Sequence, residues 1–272
     1  MHFLSSVSFR IEKVLRKKDA GISMHGKLPK KLAIILEVFV LKKIGLVGGI
    51  GPESTVDYYK GILDGYRKRT ADENYPLMII DSLNLTEMYS LVSNKQWEEF
   101  TNRFISSIKS LAAGGADFAV MAANTAHIVF DEVRRQSPLP LISIVEETCK
   151  FAKEKNCKRV VVFGTAFTMS SGLYTDAFVK YGIDAFVPTE AEQRTIHNII
   201  FPNLQAGIVL PEDKKAVLQI ANRMLSEKKA EALILGCTEL PLIIKENDLA
   251  AIILDTTQIH IDAIVNHLIA QT

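Results

Sequence analysis

Apolar positions along this chain fall into two alternating rhythms. From Lys43 onward, short unbroken apolar runs of strand length alternate with longer segments whose apolar residues recur every three or four positions. Ile44–Val47 predicts a strand that stops at Gly48-Gly49. Ser54 and Thr55 then offer N-cap oxygens to a helix carrying Tyr58, Tyr59, Ile62 and Leu63. Leu77–Ile80 predicts a second strand. Phe100, Phe104, Ile108 and Leu111 predict an amphipathic helix over Trp97–Ala112, ended by Gly114-Gly115. Phe118–Met121 and Leu139–Ile144 predict further strands, with Pro138 and Pro140 marking the start of the second. Strands alternating with helices predict an α/β fold whose parallel sheets are covered on both faces.

The pattern then restarts. Arg159-Val160-Val161-Val162-Phe163-Gly164 repeats the character of Lys43-Ile44-Gly45-Leu46-Val47-Gly48 at a shift of 116 residues, which also maps Tyr58 onto Tyr174. Ala230-Glu231-Ala232-Leu233-Ile234-Leu235 repeats Ala116-Asp117-Phe118-Ala119-Val120-Met121 at a shift of 114. Two matches at nearly one offset predict two similar halves related by duplication and a pseudo-twofold axis. Ligands of open α/β sheets bind beyond the carboxyl ends of the strands. The loops after the matched strands, Gly48–Thr55 with Gly164–Ser171 and Ala122–His127 with Gly236–Glu239, are therefore expected to meet across one cleft.

Composition narrows the function classes. The chain has 272 residues, 32 Lys+Arg and 31 Asp+Glu, so no global field draws it to nucleic acid or an anionic membrane. Three cysteines without a CxxC pair indicate neither a disulfide scaffold nor a zinc site, and no metal-ligand spacing occurs. A reducing cytoplasm fits this cysteine usage. Residues 1–41 stand apart, with eight Lys/Arg against three acids. Within them Leu32–Leu41 resembles a signal-peptide apolar core, but Glu37 interrupts it and no small-residue cleavage site follows. A short amphipathic helix over Phe9–Leu15 and a second start at Met24 are alternatives, and the expectation is an extension outside the catalytic fold.

The cleft loops carry the candidate chemistry. Small residues in Ala122-Ala123-Asn124-Thr125 and Gly236-Cys237-Thr238-Glu239 let backbone approach a ligand closely. The side chains of Asn124, Thr125 and Thr238, with free N–H groups at strand ends, suit a carboxylate. Cys237 sits at a strand end before a predicted helix, whose dipole favours a thiolate. Cys149 and Cys157 read as buried structural residues. His127 is equally an acid–base group and a packing residue, while His260 and His267 read as structural or solvent-facing. Gly48-Gly49-Ile50-Gly51 follows a strand, yet Pro52-Glu53-Ser54 breaks the dinucleotide pattern, so no nucleotide cofactor is expected. Arg67, Lys68, Arg69, Arg194 and Lys95 are cations of unassigned role.

Three stretches resemble the aspartate/glutamate racemase superfamily: Gly48–Thr55 with Tyr58-Tyr59, Ala123-Asn124-Thr125-Ala126-His127, and Gly236-Cys237-Thr238-Glu239-Leu240-Pro241. Smaller echoes are Gly164-Thr165 with Thr168-Met169, and Asp255-Thr256-Thr257. The resemblance runs in order from about Lys42 to the C-terminus. It implies two Rossmann-like halves with the active site between them, residues 42–140 and 141–253, the helix 256–270 returning to the first half. It also implies racemisation or epimerisation of a small amino acid without pyridoxal or any other cofactor, in a homodimer. Two thiols normally face the α-carbon from opposite sides. The motif carries one onto Cys237 and substrate contacts onto Asn124, Thr125, Thr238, Thr165, Ser54 and Glu239. The other thiol falls at Ala123, whose methyl group accepts no proton. Besides a racemase with one rebuilt face, two alternatives therefore stand: a one-base decarboxylase or cis–trans isomerase of a small dicarboxylic acid, and a non-catalytic binder of small carboxylates. Acidic amino acids are the substrates the resemblance implies.

Overall fold

A computed structural model describes residues 42–70 and 74–270. The N-terminal readings at Phe9–Leu15, Met24 and Leu32–Leu41 lie outside those residues. One sheet holds β1 (Lys43–Gly48), β2 (Leu77–Ser82), β3 (Phe118–Met121) and β4 (Leu141–Ile142), all parallel in the order β2-β1-β3-β4. The other holds β5 (Arg159–Gly164), β6 (Asp184–Phe186), β7 (Ala232–Gly236) and β8 (Ile252–Asp255), parallel in the matching order β6-β5-β7-β8. The duplication seen in the sequence is thus a duplication of topology. β1 and β5 coincide at the 116-residue shift, and β3 and β7 begin at equivalent residues at the 114-residue shift.

Alternation along each central strand sorts its side chains to two faces, and helices cover both. Ile44 and Leu46 point to a cluster with Tyr58 and Ile62 of α1 (Pro52–Thr70) and with Ile261, Ile264 and Val265 of the C-terminal helix α11 (Thr256–Ile269). Val47 faces the other way, onto Phe100, Phe104 and Ile108 of α3 (Trp97–Ala113), which follows α2 (Leu85–Ser93). In the second sheet Val160 and Val162 meet Ile144 and Cys149 of α5 (Ile144–Glu154), which follows α4 (Phe130–Gln136). Val161 and Phe163 face α8 (Glu190–Ile200) and α9 (Pro211–Lys228) through Ile196, Ile199 and Val217. The shorter helices α6 (Ala166–Ser170), α7 (Leu173–Val179) and α10 (Leu240–Ile243) follow strand ends or the turns beyond them. Each fully buried Phe or Ile in these layers contributes roughly 1.5–3 kcal/mol by leaving water.

Two local expectations are corrected. Helix α1 starts at Pro52, so Ser54 and Thr55 lie inside its first turn rather than capping it. Pro at the first helical position needs no N–H there, which lets the helix begin earlier. The Ser54 hydroxyl instead donates to the Ala122 carbonyl (2.8 Å), and Thr55 Oγ1 accepts from the Gly49 N–H (2.8 Å). Gly49 has φ +84°, and a Cβ there would stand 2.2 Å from the Leu83 carbonyl oxygen, so only glycine fits. The strand expected over Leu139–Ile144 is only Leu141–Ile142, because Ser143 caps α5 by accepting from the Glu146 N–H.

A buried polar bridge ties the halves together. Asn124, after β3, donates from its amide nitrogen to Thr256 Oγ1 (3.1 Å) and accepts from the Tyr174 hydroxyl (2.5 Å). Thr256 donates in turn to the Leu235 carbonyl of β7 (2.9 Å). Nearby, His127 donates from Nδ1 to the Ala123 carbonyl (2.9 Å) and accepts at Nε2 from the Ile144 N–H (3.2 Å). His260 donates from Nε2 to the Ile142 carbonyl (3.1 Å) and accepts at Nδ1 from the Tyr58 hydroxyl (2.7 Å). Both imidazoles are inside the fold, so His260 is structural and not solvent-facing. His267 is part-buried, edge-on to Phe118.

Two outcomes are expected. Tyr174→Phe and Asn124→Ala should each cost about 1–3 kcal/mol in urea unfolding, the penalty for an unpaired buried polar group. The double variant should cost less than the sum, since the two removals share one bond. Additive costs would show that the bridge holds nothing. Burial also depresses the His127 pKa from 6.5 to about 4 and the His260 pKa to about 3. Below about pH 6.5 the unfolded chain takes up protons that the folded chain refuses, so stability is complete above that pH and is lost on acidification towards 4. Thermal midpoints measured from pH 7 down to 4 should fall, and His127→Gln should flatten part of that fall.

Candidate active site

The carboxyl ends of β1, β3, β5 and β7 converge on a narrow cavity of about 70 Å³. Cys237, Thr238 and Glu239, directly after β7, line it from the second half, together with Thr165 after β5. Ala123, Asn124 and Thr125, directly after β3, line it from the first half, with Ser54 of α1. Ala123, Cys237 and the six residues expected to contact substrate are therefore brought to one cavity, while His127 is not among the residues that line it.

The Cys237 side carries the cavity's thiol and its carboxylate. Cys237 donates its S–H to Glu239 Oε2 at 2.8 Å, and the Thr238 hydroxyl donates to the same oxygen at 2.9 Å. Burial pushes the thiol pKa well above its ordinary value, and the adjacent Glu239 carboxylate pushes it further. The expected helix-dipole thiolate is thus corrected: the helix that follows, α10, has four residues and starts at Leu240, too short and too late to outweigh burial and an anion. The resting group is a thiol, held next to a carboxylate able to take its proton. Tyr89 of α2 stands at the same wall, its hydroxyl pKa raised by burial and by the nearness of Cys237 and Glu239.

The first-half wall has no titrating group at Ala123, and a row of hydroxyls leads from its Thr125 back to the second half. Thr125 Oγ1 lies 3.5 Å from Thr168 Oγ1, which lies 3.0 Å from Thr165 Oγ1. Thr165 also caps α6 by accepting from the Thr168 N–H. The Ser54 hydroxyl proton is committed to Ala122, and the Asn124 amide to Tyr174 and Thr256, which leaves Asn124 one N–H for a ligand. His127 has both ring nitrogens bound to backbone groups and is held neutral, so it hands no proton to the cavity.

Sequence reasoning missed Tyr89 and gave no role to Tyr174 or Thr168. Tyr174 was visible only as the repeat partner of Tyr58, and Thr168 only as part of the Thr168-Met169 resemblance. Tyr89 carried no signal, since it reaches the cavity through the packing of α2. The glycine loop is spent on itself: Thr55 fills the space a Cβ at Gly48 would need, 2.6 Å away, and binds the Gly49 N–H. A wider groove of about 750 Å³ opens elsewhere, past His127, Phe130 and Asp176, but includes neither Cys237 nor Thr125. Among the described residues no group of three or more His, Cys, Asp and Glu side chains could hold a metal ion, and no helix is long and apolar enough to cross a membrane.

This arrangement has relatives. The broad specificity amino-acid racemase RacX of Bacillus subtilis is 27% identical over 206 residues, covering 74% of this chain and 87% of its own. An aspartate racemase homologue from Pyrococcus horikoshii OT3 superposes with a TM-score of 0.76 at 32% identity, covering 84% of this chain and 99% of that one. A putative Asp/Glu racemase from Yersinia pestis superposes with a TM-score of 0.80 at 27% identity, covering 84% and 100%. The Asp/Glu/Hydantoin racemase family model matches residues 47–264, and with that span, the duplicated parallel sheets and the thiol at their meeting point, the chain belongs to that family of isomerases.

Proposed function

We propose that the protein is an amino-acid racemase that works without a cofactor, with Cys237 as the acid–base group on one face of the substrate α-carbon. The observation that carries this is the 2.8 Å contact between the Cys237 thiol and the Glu239 carboxylate, inside the cavity where the two halves meet. An α-proton is weakly acidic, so its removal needs a thiolate shielded from water and a held carboxylate. A bound amino acid brings its ammonium towards Glu239, offsetting the charge that the thiolate adds. The thiol proton passes to Glu239, the thiolate takes the α-proton, and the carbanion is stabilised through its carboxylate. The remaining N–H of Asn124, the Thr125 hydroxyl and the strand-end N–H groups are the donors for that carboxylate. On the Ala123 side, Thr125, the first-half end of the Thr125–Thr168–Thr165 hydroxyl chain, or a water held by it, gives a proton to the carbanion, and the cycle closes when Glu239 releases the proton it took and the chain takes one back from solvent as product leaves. The same reading takes the working unit as a homodimer in a reducing cytoplasm, the described cysteines being free thiols.

A second reading is favoured by Ala123 itself. With no titrating group on that face, Cys237 would act alone, as in a one-base enzyme. Exchange of the α-proton in D₂O, followed by NMR over L- and D-amino acids, separates the two. Racemisation gives deuterium uptake with loss of chirality; a one-base site gives uptake with chirality kept. Cys237→Ser should lower the rate by about 10²–10⁴-fold in either case. An unchanged rate in that variant would remove Cys237 from the mechanism.

Glu239 has its own signature. Glu239→Gln removes the anion that raises the thiol pKa, so iodoacetamide alkylation of Cys237 should reach half-maximal rate at a lower pH than in the parent chain. Turnover should fall at the same time, because the proton acceptor is gone. A midpoint that stays or rises would show that Glu239 does not govern the thiol.

A further inference from the structure

The cavity wall carries one charge, and it is negative. Glu239 lines it, and no Lys, Arg or His does among the described residues. Of the five cations noted in the sequence, three are engaged elsewhere, Arg69 with Asp262 (2.7 Å), Arg194 with Glu190 (3.7 Å) and Arg67 over the Tyr75 ring, and Lys68 and Lys95 are not among the residues that line the cavity. Beside the cavity on α1, burial first and then Glu53 raise the Asp57 carboxyl pKa, Lys60 lowers it, and Glu239 adds a smaller upward push. The rest of the wall is uncharged: Ile50, Met88, Val92, Phe100 and Phe201 are apolar, with Met88 and Phe100 each 1% exposed, and the polar Tyr89, Gln205, Ser54 and Thr165 carry no positive charge.

We infer that this site takes amino acids with uncharged, apolar side chains and discriminates against acidic ones. The inference rests on the reading of the cavity as an amino-acid site. A zwitterion needs one anion-binding group set, which the strand-end N–H groups, Asn124 and Thr125 supply, and one partner for its ammonium, which Glu239 supplies. A side-chain carboxylate would be a second anion. It would lose its hydration against Met88, Phe100 and Phe201 with no cation to pair with, and would add its repulsion to that of Glu239. An alkyl side chain meets none of these costs and gains by burial on the same wall. This departs from the acidic substrates that the sequence resemblance implies, and the departure comes from the wall residues, not from the reactive loop.

Two near-isosteric pairs test the inference with the unmodified chain: norvaline against glutamate and 2-aminobutyrate against aspartate, both enantiomers of each. Within a pair only the end group changes, from methyl to carboxylate. Calorimetric titration reads binding and deuterium uptake at Cα reads chemistry. The neutral member of each pair should bind at least about tenfold more tightly, a difference of about 1.4 kcal/mol, and exchange faster. Equal or tighter binding of the acidic members would overturn the inference and leave the racemase reading intact. The predicted binding order without exchange for any of the four would do the reverse, keeping the specificity and removing the racemase. No binding by any of the four would overturn the inference.

Discussion

The Asn124 side chain is the polar group that both halves hold at once. It leaves the end of β3, accepts from Tyr174 on α7 and donates to Thr256 at the head of α11, which itself is bound to β7. All three side chains are buried. Sliding one sheet past the other would leave a hydroxyl, an amide and a carbonyl without partners in a medium that offers no water, each at about 1–3 kcal/mol. The relative position of the strand ends after β3 and β7 is therefore specified by hydrogen bonds, and apolar packing of the helices could not do this alone because it tolerates small shifts. Ala123 and Thr125 flank Asn124, so the wall that faces Cys237 inherits its placement from the bridge.

That constraint explains how residues far apart in sequence serve one site, and how much of the site was legible beforehand. The strand–helix alternation and the 116- and 114-residue offsets were readable because a parallel sheet buried on both faces needs continuous apolar strands, and duplication leaves the same spacing twice. From the two offsets, the rule that ligands sit beyond strand ends picks out Asn124, Thr125, Cys237 and Thr238 without any structure. Tyr174 and Tyr89 were not readable, because each reaches its partner through the tertiary placement of a helix. The state of Cys237 was misjudged for a similar reason. A local argument from helix dipoles ignored burial and the Glu239 carboxylate two residues on, and those dominate a thiol inside the fold. His127 was evenly balanced between acid–base chemistry and packing, and its geometry favours packing: both nitrogens serve backbone groups, at Ala123 and Ile144, which makes it a fastening between the turn after β3 and the start of α5.

The glycine-rich turn after β1 shows how a motif can be exhausted by its own geometry. Gly49 takes a left-handed conformation against Leu83, and Thr55 occupies the space beside Gly48 while satisfying the Gly49 N–H. A loop whose donors are already bound internally has little to offer a phosphate. What it supplies is shape: Ile50 and Gly51 form cavity wall, and α1 starts at once with Ser54 fastened to Ala122.

A symmetric fold here carries asymmetric chemistry. Ala123 and Cys237 occupy equivalent positions, each two residues past the end of the equivalent strand segment, Phe118–Met121 and Ala232–Leu235, at the 114-residue shift. Duplication supplies two equivalent positions on one cavity, but the environment at each is built by non-equivalent neighbours. Beyond Cys237 lies Glu239, whose carboxylate accepts from both the thiol and the Thr238 hydroxyl; beyond Ala123 lie Asn124, committed to the bridge, and Thr125, in a chain of hydroxyls. Restoring a thiol at position 123 would therefore not restore symmetry, since that thiol would lack a carboxylate to receive its proton and would sit against the buried, neutral His127 turn. The two faces of the site differ in the proton-handling groups around the reactive atom as much as in that atom itself.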